Sequence, residues 1–482
     1  MKFLFTLFLA GCSILAVAQE GYQINFHVKE LKDTTVFLGY YFGEGTFIKD
    51  TARADRTGHF SFSGSKRLEK GVYFLVMGKL KAFEPGFLVY QNQHFSMEAS
   101  NTDYIKTMKV TGDDDNRLFF ENMVFNMERH QEASPFIAIL KDSTLKEDQK
   151  KDARESYNKI DSRVQSYQKD LIAKYPNTLT AKLLQINKRV DVPEPPKKAD
   201  GSIDSLFQYR YYRKHFFDNF DLANDAMMRL PTAQYQLKLN EYLDKLTVQT
   251  ADSIMSAIDG LALVAKTNPE TYKYLIWSCV YKYQKPAIMG LDEVYIRLYD
   301  KYFVTGLMDY WMTASMKKSM KEYADKIRTS LIGKTGGNLI MQDQALQAKS
   351  LYDIKKKYSI IYFFDPDCGH CKEESPKLVD FYNRKKDKLN FEVFAVSLDT
   401  SMVKMRNYIR DMKMTWITVN GPRTYLGNLH NAYYAETTPM VYVLDSKKKI
   451  IAKGLTVSQL EEFFTGYERY EQRKAALKPK GT

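Results

Sequence analysis

Two cysteines separated by two residues, Cys368 and Cys371, are the side chains of this chain best suited to covalent chemistry. Their spacing lets the second thiol reach back to the first within one helical turn and close a disulfide. The chain has no second CxxC or CxxH pair to complete a zinc site, which usually takes four ligands. The sequence therefore predicts dithiol–disulfide chemistry at this pair and no metal site.

The segments on either side of the pair predict where it lies in the fold. Ile360–Phe364 is an unbroken apolar run typical of a buried strand, and Asp365–Asp367 contains the proline and aspartates of a turn. Beyond the pair, apolar residues from Leu378 to Tyr382 recur at helical spacing. We therefore expect Cys368 at the N-terminus of a helix, where unpaired backbone N–H groups and the helix dipole stabilise the reactive thiolate.

Two segments resemble the thioredoxin-fold proteins. Phe363–Pro376 is similar to their active-site segment, in which a proline, here Pro376, follows the first cysteine by eight residues. Glu436–Asp445 is similar to the segment in which thioredoxins carry a cis-proline facing the disulfide, followed by a strand. By position, Pro439 would be that cis residue, and Thr438 would offer backbone hydrogen bonds to a substrate. The likeness is to the envelope proteins of the TlpA/ResA type and covers about a third of the chain.

The resemblance implies a thiol–disulfide oxidoreductase whose partners are protein thiols and disulfides and whose only cofactor is a redox-active Cys368–Cys371 disulfide. Cys368 would form a mixed disulfide with the partner, and Cys371 would resolve it. His370 belongs to the dipeptide of strongly oxidising disulfide isomerases, and an imidazolium there would stabilise the thiolate. We expect the couple to be more oxidising than thioredoxin's, between roughly −230 and −150 mV.

One position departs from the family pattern. Many thioredoxins bury an aspartate six residues before the first cysteine, where it manages proton transfer from the second thiol; this chain has Tyr362 there. Asp365 and Asp367 are nearer to the turn, but we expect them to be too exposed to take over that role. The sequence leaves open which group deprotonates Cys371.

The first residues of the chain predict export. Met1–Ala18 has a positive start at Lys2, an apolar run and a small-x-small cleavage site, as a signal peptide does. Leu9–Cys12 also fits a lipobox, which would make Cys12 a lipidated first residue and attach the protein to a membrane. We favour cleavage after Ala18, and either reading predicts the periplasm or cell envelope, where we expect an unidentified redox partner.

Composition limits the other classes of function. The net charge is +13, but acidic and basic residues are interspersed, without a basic arm or an aromatic–basic stripe, so we expect no nucleic-acid partner. After removal of the signal peptide only one cysteine remains besides the pair. Cys279 lies in an apolar run, which predicts a buried core residue rather than a redox role.

Changes in periodicity divide the chain into three domains after the signal peptide. Residues 19–113 contain short predicted strands about ten residues apart, which is typical of an antiparallel β-sandwich. Residues 114–332 are predicted to form an all-α domain. Residues 333–482 are predicted to form an α/β thioredoxin-like domain. The first two resemble a β domain and a helical domain of unknown function that accompany envelope thioredoxin-like proteins.

Within these domains we predict the following main elements: helices Glu147–Tyr175, Leu206–Phe220, Tyr235–Thr247, Asp252–Lys266, Pro269–Tyr283, Leu291–Tyr302, Leu351–Lys356, Met402–Met412, Leu426–Tyr433 and Val457–Lys474, the motif helix to about Lys386, and strands Ser359–Phe364, Phe391–Ser397, Trp416–Val419, Met440–Leu444 and Lys449–Ala452.

A second function from a different class remains open. The β and helical domains make up most of the mass, so the protein could be an envelope binding or assembly protein to which the thioredoxin-like domain is an accessory.

Overall fold

The computed structural model describes residues 21–77, 81–82, 86–197, 200–421 and 423–476. The predicted signal peptide and Cys12 lie outside these ranges. The chain folds into two compact units. The first contains the described residues up to Leu246 together with Leu261–Tyr272, and the second contains Thr247–Gly260 and the described residues from Lys273 onward. The domain boundaries predicted at residues 113 and 332 stay a prediction.

The first unit begins with a β-rich region. Its elements are β1 (Tyr22–Lys29), β2 (Thr35–Phe42), β3 (Gly45–Arg53), β4 (His59–Gly64), β5 (Gly71–Met77), β6 (Lys81–Ala82), β7 (Phe87–Val89), β8 (His94–Ser100), the short helix α1 (Tyr104–Thr107) and β9 (Lys109–Thr111). They form two sheets, ordered β4-β1-β8-β9 and β3-β2-β5-β6, with β7 also paired to β5.

The two sheets enclose one apolar core, to which β1 contributes Ile24 and Phe26 and β5 contributes Tyr73 and Leu75. The sequence prediction of an N-terminal β-sandwich is confirmed. Strand β1 pairs with β8 in parallel, whereas its pairing with β4 is antiparallel. A parallel pair needs a long connection, and here strands β2 to β7, most of them in the other sheet, lie between β1 and β8.

Helices follow, as the change in periodicity predicted. They are α2 (Asp114–Lys141), α3 (Lys151–Lys174), α4 (Leu179–Ile186), α5 (Phe207–His215), α6 (Gln234–Lys245), α7 (Ala251–Ala265), α8 (Pro269–Gln284), α9 (Asp292–Leu298) and α10 (Ala314–Arg328). The helix predicted over Leu291–Tyr302 is α9 followed by a π-helical turn, Tyr299–Val304. In the part of the chain that the structure describes, no helix has the length and apolar character needed to cross a membrane.

The second unit ends in an α/β region built on a five-stranded sheet. Two short strands come first, β10 (Ile340–Gln342) and β11 (Ala348–Ser350), and the remaining elements are β12 (Tyr358–Phe364), α11 (Gly369–Leu389), β13 (Phe391–Ser397), α12 (Met402–Asp411), β14 (Ile417–Asn420), β15 (Arg423–Thr424), β16 (Gly427–Asn428), β17 (Met440–Asp445), β18 (Ile450–Lys453) and α13 (Leu460–Ala476). The sheet order is β14-β13-β12-β17-β18.

The central strand β12 is buried along its whole length. Because successive side chains of a strand point to opposite faces, Tyr362 and Phe364 pack into one core cluster and Ile361 and Phe363 into another on the other face of the sheet. A strand covered on both faces reads as a continuous apolar run, which is why the sequence identified it. The all-α and the α/β thioredoxin-like parts of the predicted fold are confirmed.

Two predicted helices of this region are wrong. Over the first of these, Leu426–Tyr433, Leu426 lies in the two-residue turn between β15 and β16, Gly427 begins β16 with φ 116°, and a single 3₁₀ turn, Leu429–Asn431, follows. Over Leu351–Lys356 the chain forms only a 3₁₀ turn, Leu351–Asp353. Apolar residues three or four positions apart mark one buried turn as readily as a helix.

The packing of α11 on the sheet fixes the start of that helix. A substitution at Leu378 tests this packing. Leu378 is fully buried in the cluster that contains Tyr362. We expect Leu378→Ala to lower the free energy of unfolding by about 2–5 kcal/mol, because it removes packed methyl groups and leaves a cavity. Exposed Asn383 of the same helix is the control, and Asn383→Ala should change the stability by less than about 0.5 kcal/mol. Urea denaturation measures both, and equal losses would contradict the orientation of α11.

Candidate redox site

Cys368 lies where strand β12 passes into helix α11. It is the N-cap residue of α11, with extended backbone dihedrals, and its Sγ atom accepts a hydrogen bond from the backbone N–H of Cys371 at 3.3 Å. The turn before it is closed by the N–H of Cys368, which donates to the carbonyl of Asp365. The sulfur therefore faces the positive end of the helix dipole, as the sequence predicted.

The two cysteines differ in exposure. Cys368 is partly exposed, whereas Cys371 is fully buried, and both are free thiols in this structure. The partly exposed sulfur is the one that another protein can reach. Cys371, one helical turn further on, is shielded behind it.

The two thiols also differ in acidity: the pKa of Cys368 is lowered and that of Cys371 is raised. Burial alone would raise the pKa of Cys368, but hydrogen bonds involving the Cys371 thiol, Thr438 and the backbone N–H groups of Cys371 and His370 outweigh burial and hold that pKa below its usual value. Burial, together with the hydrogen bond to Cys368, raises the pKa of Cys371 to about 12. Near neutral pH Cys368 is the better nucleophile.

The loop before β17 faces the first cysteine. The Thr438–Pro439 peptide bond is cis, and the carbonyl oxygen of Thr438 lies 3.4 Å from Sγ of Cys368. Thr438, Pro439 and Met440 are all partly exposed. The structure thus brings the two segments singled out in the sequence, about seventy residues apart, to one site.

His370 is placed differently from its two neighbours. Its side chain is 84% exposed, and Nδ1 lies 3.6 Å from a carboxylate oxygen of Glu373. Charges in that position are strongly screened by water. The contact of His370 with the Cys368 sulfur is through its backbone N–H, so the predicted effect of the imidazole on the redox potential stays a prediction.

Three buried hydroxyl groups form a hydrogen-bonded chain, and its two tyrosines belong to the same core cluster as Cys371. Tyr362 and Ser375 lie 2.9 Å apart at their oxygens, and Ser375 lies 2.9 Å from the hydroxyl of Tyr408. Burial raises the pKa of both tyrosines, that of Tyr408 to about 12. The hydroxyls therefore stay protonated near neutral pH and cannot take a proton from Cys371 as a carboxylate would.

Sequence reasoning identified Tyr362 but missed its two partners. Ser375 could have been found, because it follows Cys371 by four residues and so lies on the same face of α11. Tyr408 comes from α12, and no local pattern points to it.

Three carboxylates gather beside the dithiol turn, Asp365, Asp367 and Asp399. The ammonium group of Lys404 donates to Asp367 at 2.6 Å and to Asp399 at 2.8 Å. This lysine supplies the positive charge that the cluster needs. Asp367 is exposed, as the sequence analysis expected, whereas Asp365 is only partly exposed.

Comparisons with known proteins relate three regions of the chain to known families. Residues 356–450 match the family described as Thioredoxin-like. Residues 146–327 and 22–119 match two families described as domains of unknown function, DUF5106 and DUF4369.

Two curated relatives are both named thiol-disulfide oxidoreductase ResA and come from Bacillus cereus strains. One is 23% identical over 146 residues, which are 30% of this chain and 80% of the relative. The other is 27% identical over 146 residues, 29% of this chain and 81% of the relative. A solved domain of a possible thiol-disulfide isomerase from Cytophaga hutchinsonii is 33% identical, with a TM-score of 0.28, over 30% of this chain and 97% of that one.

The fold and the dithiol define a class, the thiol–disulfide oxidoreductases with a thioredoxin fold. Within that class the C-terminal region of this chain is a thioredoxin-like domain similar to ResA, and it follows two domains whose families have no assigned function.

The unequal acidities predict the order in which the thiols react. As the pH rises, iodoacetamide should alkylate Cys368 first and Cys371 far later. Burial raises the pKa of Cys279 to about 12 as well, so this cysteine serves as an internal reference. Peptide mapping of the reduced protein over a pH series measures the order.

The variant Cys371→Ala tests whether the hydrogen bond from the second thiol lowers the pKa of Cys368. It removes the hydrogen bond from the second thiol but keeps the backbone N–H, so the pKa of Cys368 should rise. Preferential alkylation of Cys371 in the natural protein near neutral pH would refute the assignment.

Proposed function

We propose that this protein is an exported thiol–disulfide oxidoreductase that exchanges its Cys368–Cys371 couple with the disulfides and thiols of other proteins. One observation carries the proposal. A partly exposed sulfur of lowered pKa lies at a helix N-terminus, with a second, buried thiol one turn behind it. This is the arrangement that a nucleophilic and a resolving cysteine require.

The reaction proceeds by two exchanges. The Cys368 thiolate attacks one sulfur of a substrate disulfide; that S–S bond breaks, a mixed disulfide forms, and the released thiolate takes up a proton. Cys371 then loses its proton and attacks the sulfur of Cys368, which forms the intramolecular disulfide and releases the second substrate thiol. Two electrons pass to the substrate, and the reverse sequence oxidises a substrate dithiol.

The interaction between the two thiols determines when Cys371 can ionise and attack the mixed disulfide. Interaction with Cys368 is, after burial, the main cause of the high pKa of Cys371. Once Cys368 is bonded to a substrate sulfur it carries no charge and no longer opposes ionisation of its neighbour. The pKa of Cys371 therefore falls at the stage at which this thiol must attack.

Thr438 and Pro439 form the substrate-binding edge of the proposed site. The backbone of Thr438 lies against the reactive sulfur, and Thr438 and Pro439 are partly exposed. An extended substrate segment that pairs with backbone groups here would be recognised with little regard to its sequence. That property suits an enzyme that acts on many polypeptides.

Export and a partner in the cell envelope are parts of the same proposal. They rest on the signal-peptide pattern of Met1–Ala18, with membrane attachment only if Cys12 is lipidated. An envelope dithiol or disulfide protein would return the couple to its starting state and so set the net direction.

Turnover of insulin disulfides tests the proposal. With dithiothreitol as reductant, the full chain should accelerate insulin precipitation, and Cys368→Ser should abolish the acceleration. The matched control is Cys279→Ser, which removes a fully buried thiol and should keep the activity if the protein stays folded by circular dichroism. Equal, slow rates for the natural protein and Cys368→Ser would favour a binding or assembly role instead.

A further inference from the structure

A cavity of about 430 Å³ adjoins the proposed substrate-binding edge. Its lining includes Thr437 and Met440, the residues on either side of the Thr438–Pro439 pair that faces Cys368. The volume lies within the range of about 300–1,000 Å³ typical of ligand pockets. Other lining residues come from α10 and from residues 284–290, which comprise the last residue of α8 and the segment that follows it.

The walls of this cavity are largely aromatic and apolar, with Gln284, Lys285 and Gln459 among the polar residues of the lining. The rings of Tyr323 and Tyr434 meet edge to face with centroids 5.6 Å apart. The hydroxyl of Tyr323 donates to the carbonyl of Gln284 at 2.7 Å, which fixes the ring in place. Met289, 40% exposed, lines the cavity and accepts a hydrogen bond at Sδ from the backbone N–H of Lys453. Such walls suit a flat apolar side chain.

A buried ion pair lies among these apolar walls. The side chains of Lys453 and Asp292 are 15% and 11% exposed and are paired through one carboxylate oxygen, Oδ2. The ammonium group of Lys453 also donates to the carbonyl of Ser330 at 2.9 Å. The other carboxylate oxygen, Oδ1 of Asp292, is buried without a hydrogen-bond partner among the described residues. Buried polar atoms are rarely left so, and a ligand that donates a hydrogen bond would satisfy this one.

We propose that this cavity, which we call the Asp292 cavity, holds a tyrosine or tryptophan side chain of the polypeptide whose disulfide Cys368 attacks. The inference rests on the proposed function and deepens it by naming a feature of the substrate. The position is right because Thr437 and Met440 belong both to the cavity wall and to the loop beside the reactive sulfur.

The chemistry selects the occupant. An aromatic ring fills the apolar walls, and an O–H or N–H at its tip pairs with Oδ1 of Asp292. A phenylalanine or aliphatic side chain would leave that oxygen unpaired. A lysine or arginine would bring a second cation to a carboxylate that Lys453 already neutralises.

A set of short peptides tests the proposal. Each contains one cysteine joined to glutathione by a disulfide, and tyrosine, phenylalanine or alanine is placed in turn at each position near the cysteine. Stopped-flow kinetics gives the rate constant for reduction of each peptide by the reduced full chain. At one or two positions tyrosine should react about tenfold faster than alanine and several-fold faster than phenylalanine.

Two variants connect the preference to the cavity. Ala287 lines the cavity and is exposed, so the indole of Ala287→Trp should occupy part of its volume and bring the tyrosine-to-alanine rate ratio close to one. Leu263, 75% exposed and outside the lining, is the matched position, and Leu263→Trp should keep the ratio. Because each ratio is taken within one variant, a uniform loss of active protein does not affect it.

The other outcomes are distinct. Equal rates for tyrosine, phenylalanine and alanine at every position would overturn the inference and leave the oxidoreductase in place. Equal preference for tyrosine and phenylalanine over alanine would overturn the role of Asp292. No exchange with any peptide would overturn the proposed function, and the inference with it.

Discussion

The hydrogen bond from the backbone N–H of Cys371 to the sulfur of Cys368 is the interaction on which the site depends. It makes Cys368 the N-cap of α11, so a nucleophile takes the place that a serine or aspartate usually fills. The helix start is fixed in turn by buried strand β12, which delivers the chain to the turn, and by the packing of α11 on the sheet. Cys371 is buried by the same packing, so one arrangement produces both the reactive and the resolving thiol.

Burial and the interaction with Cys368 both raise the pKa of Cys371, the thiol that must resolve a mixed disulfide. The position of the aspartate that many thioredoxins bury is filled by Tyr362, whose hydroxyl is part of a hydrogen-bonded chain with Ser375 and Tyr408. These hydroxyls keep the region polar and well packed but remain protonated. The interaction with Cys368 adds to burial in raising the pKa of Cys371, and formation of a mixed disulfide removes the contribution of the Cys368 thiolate. In this account the substrate itself triggers the resolving step.

The sequence was informative where a short segment decides the structure. The apolar run of β12, the turn at Asp365–Asp367 and the Thr438–Pro439 pair each carry their own local signal, and all three lie at the site. The helix predicted over Leu426–Tyr433 is wrong because a hairpin turn at Tyr425–Leu426 and one 3₁₀ turn have the same spacing of apolar residues as a helix. The Asp292 cavity was beyond reach, because its walls come from segments more than a hundred residues apart that are joined by side-chain contacts.

Trapping of the mixed disulfide tests the central claim most directly. The reduced Cys371→Ala protein, mixed with a denatured substrate that contains disulfides, should accumulate a covalent adduct because the resolving thiol is gone. Mass spectrometry of the non-reduced digest should place the new disulfide at Cys368, and dithiothreitol should release the substrate. A Cys368→Ala protein treated in the same way should give little adduct. The account would be contradicted if the Cys371→Ala protein gave no adduct. It would also be contradicted if the Cys368→Ala protein gave an equal yield of adduct through Cys371.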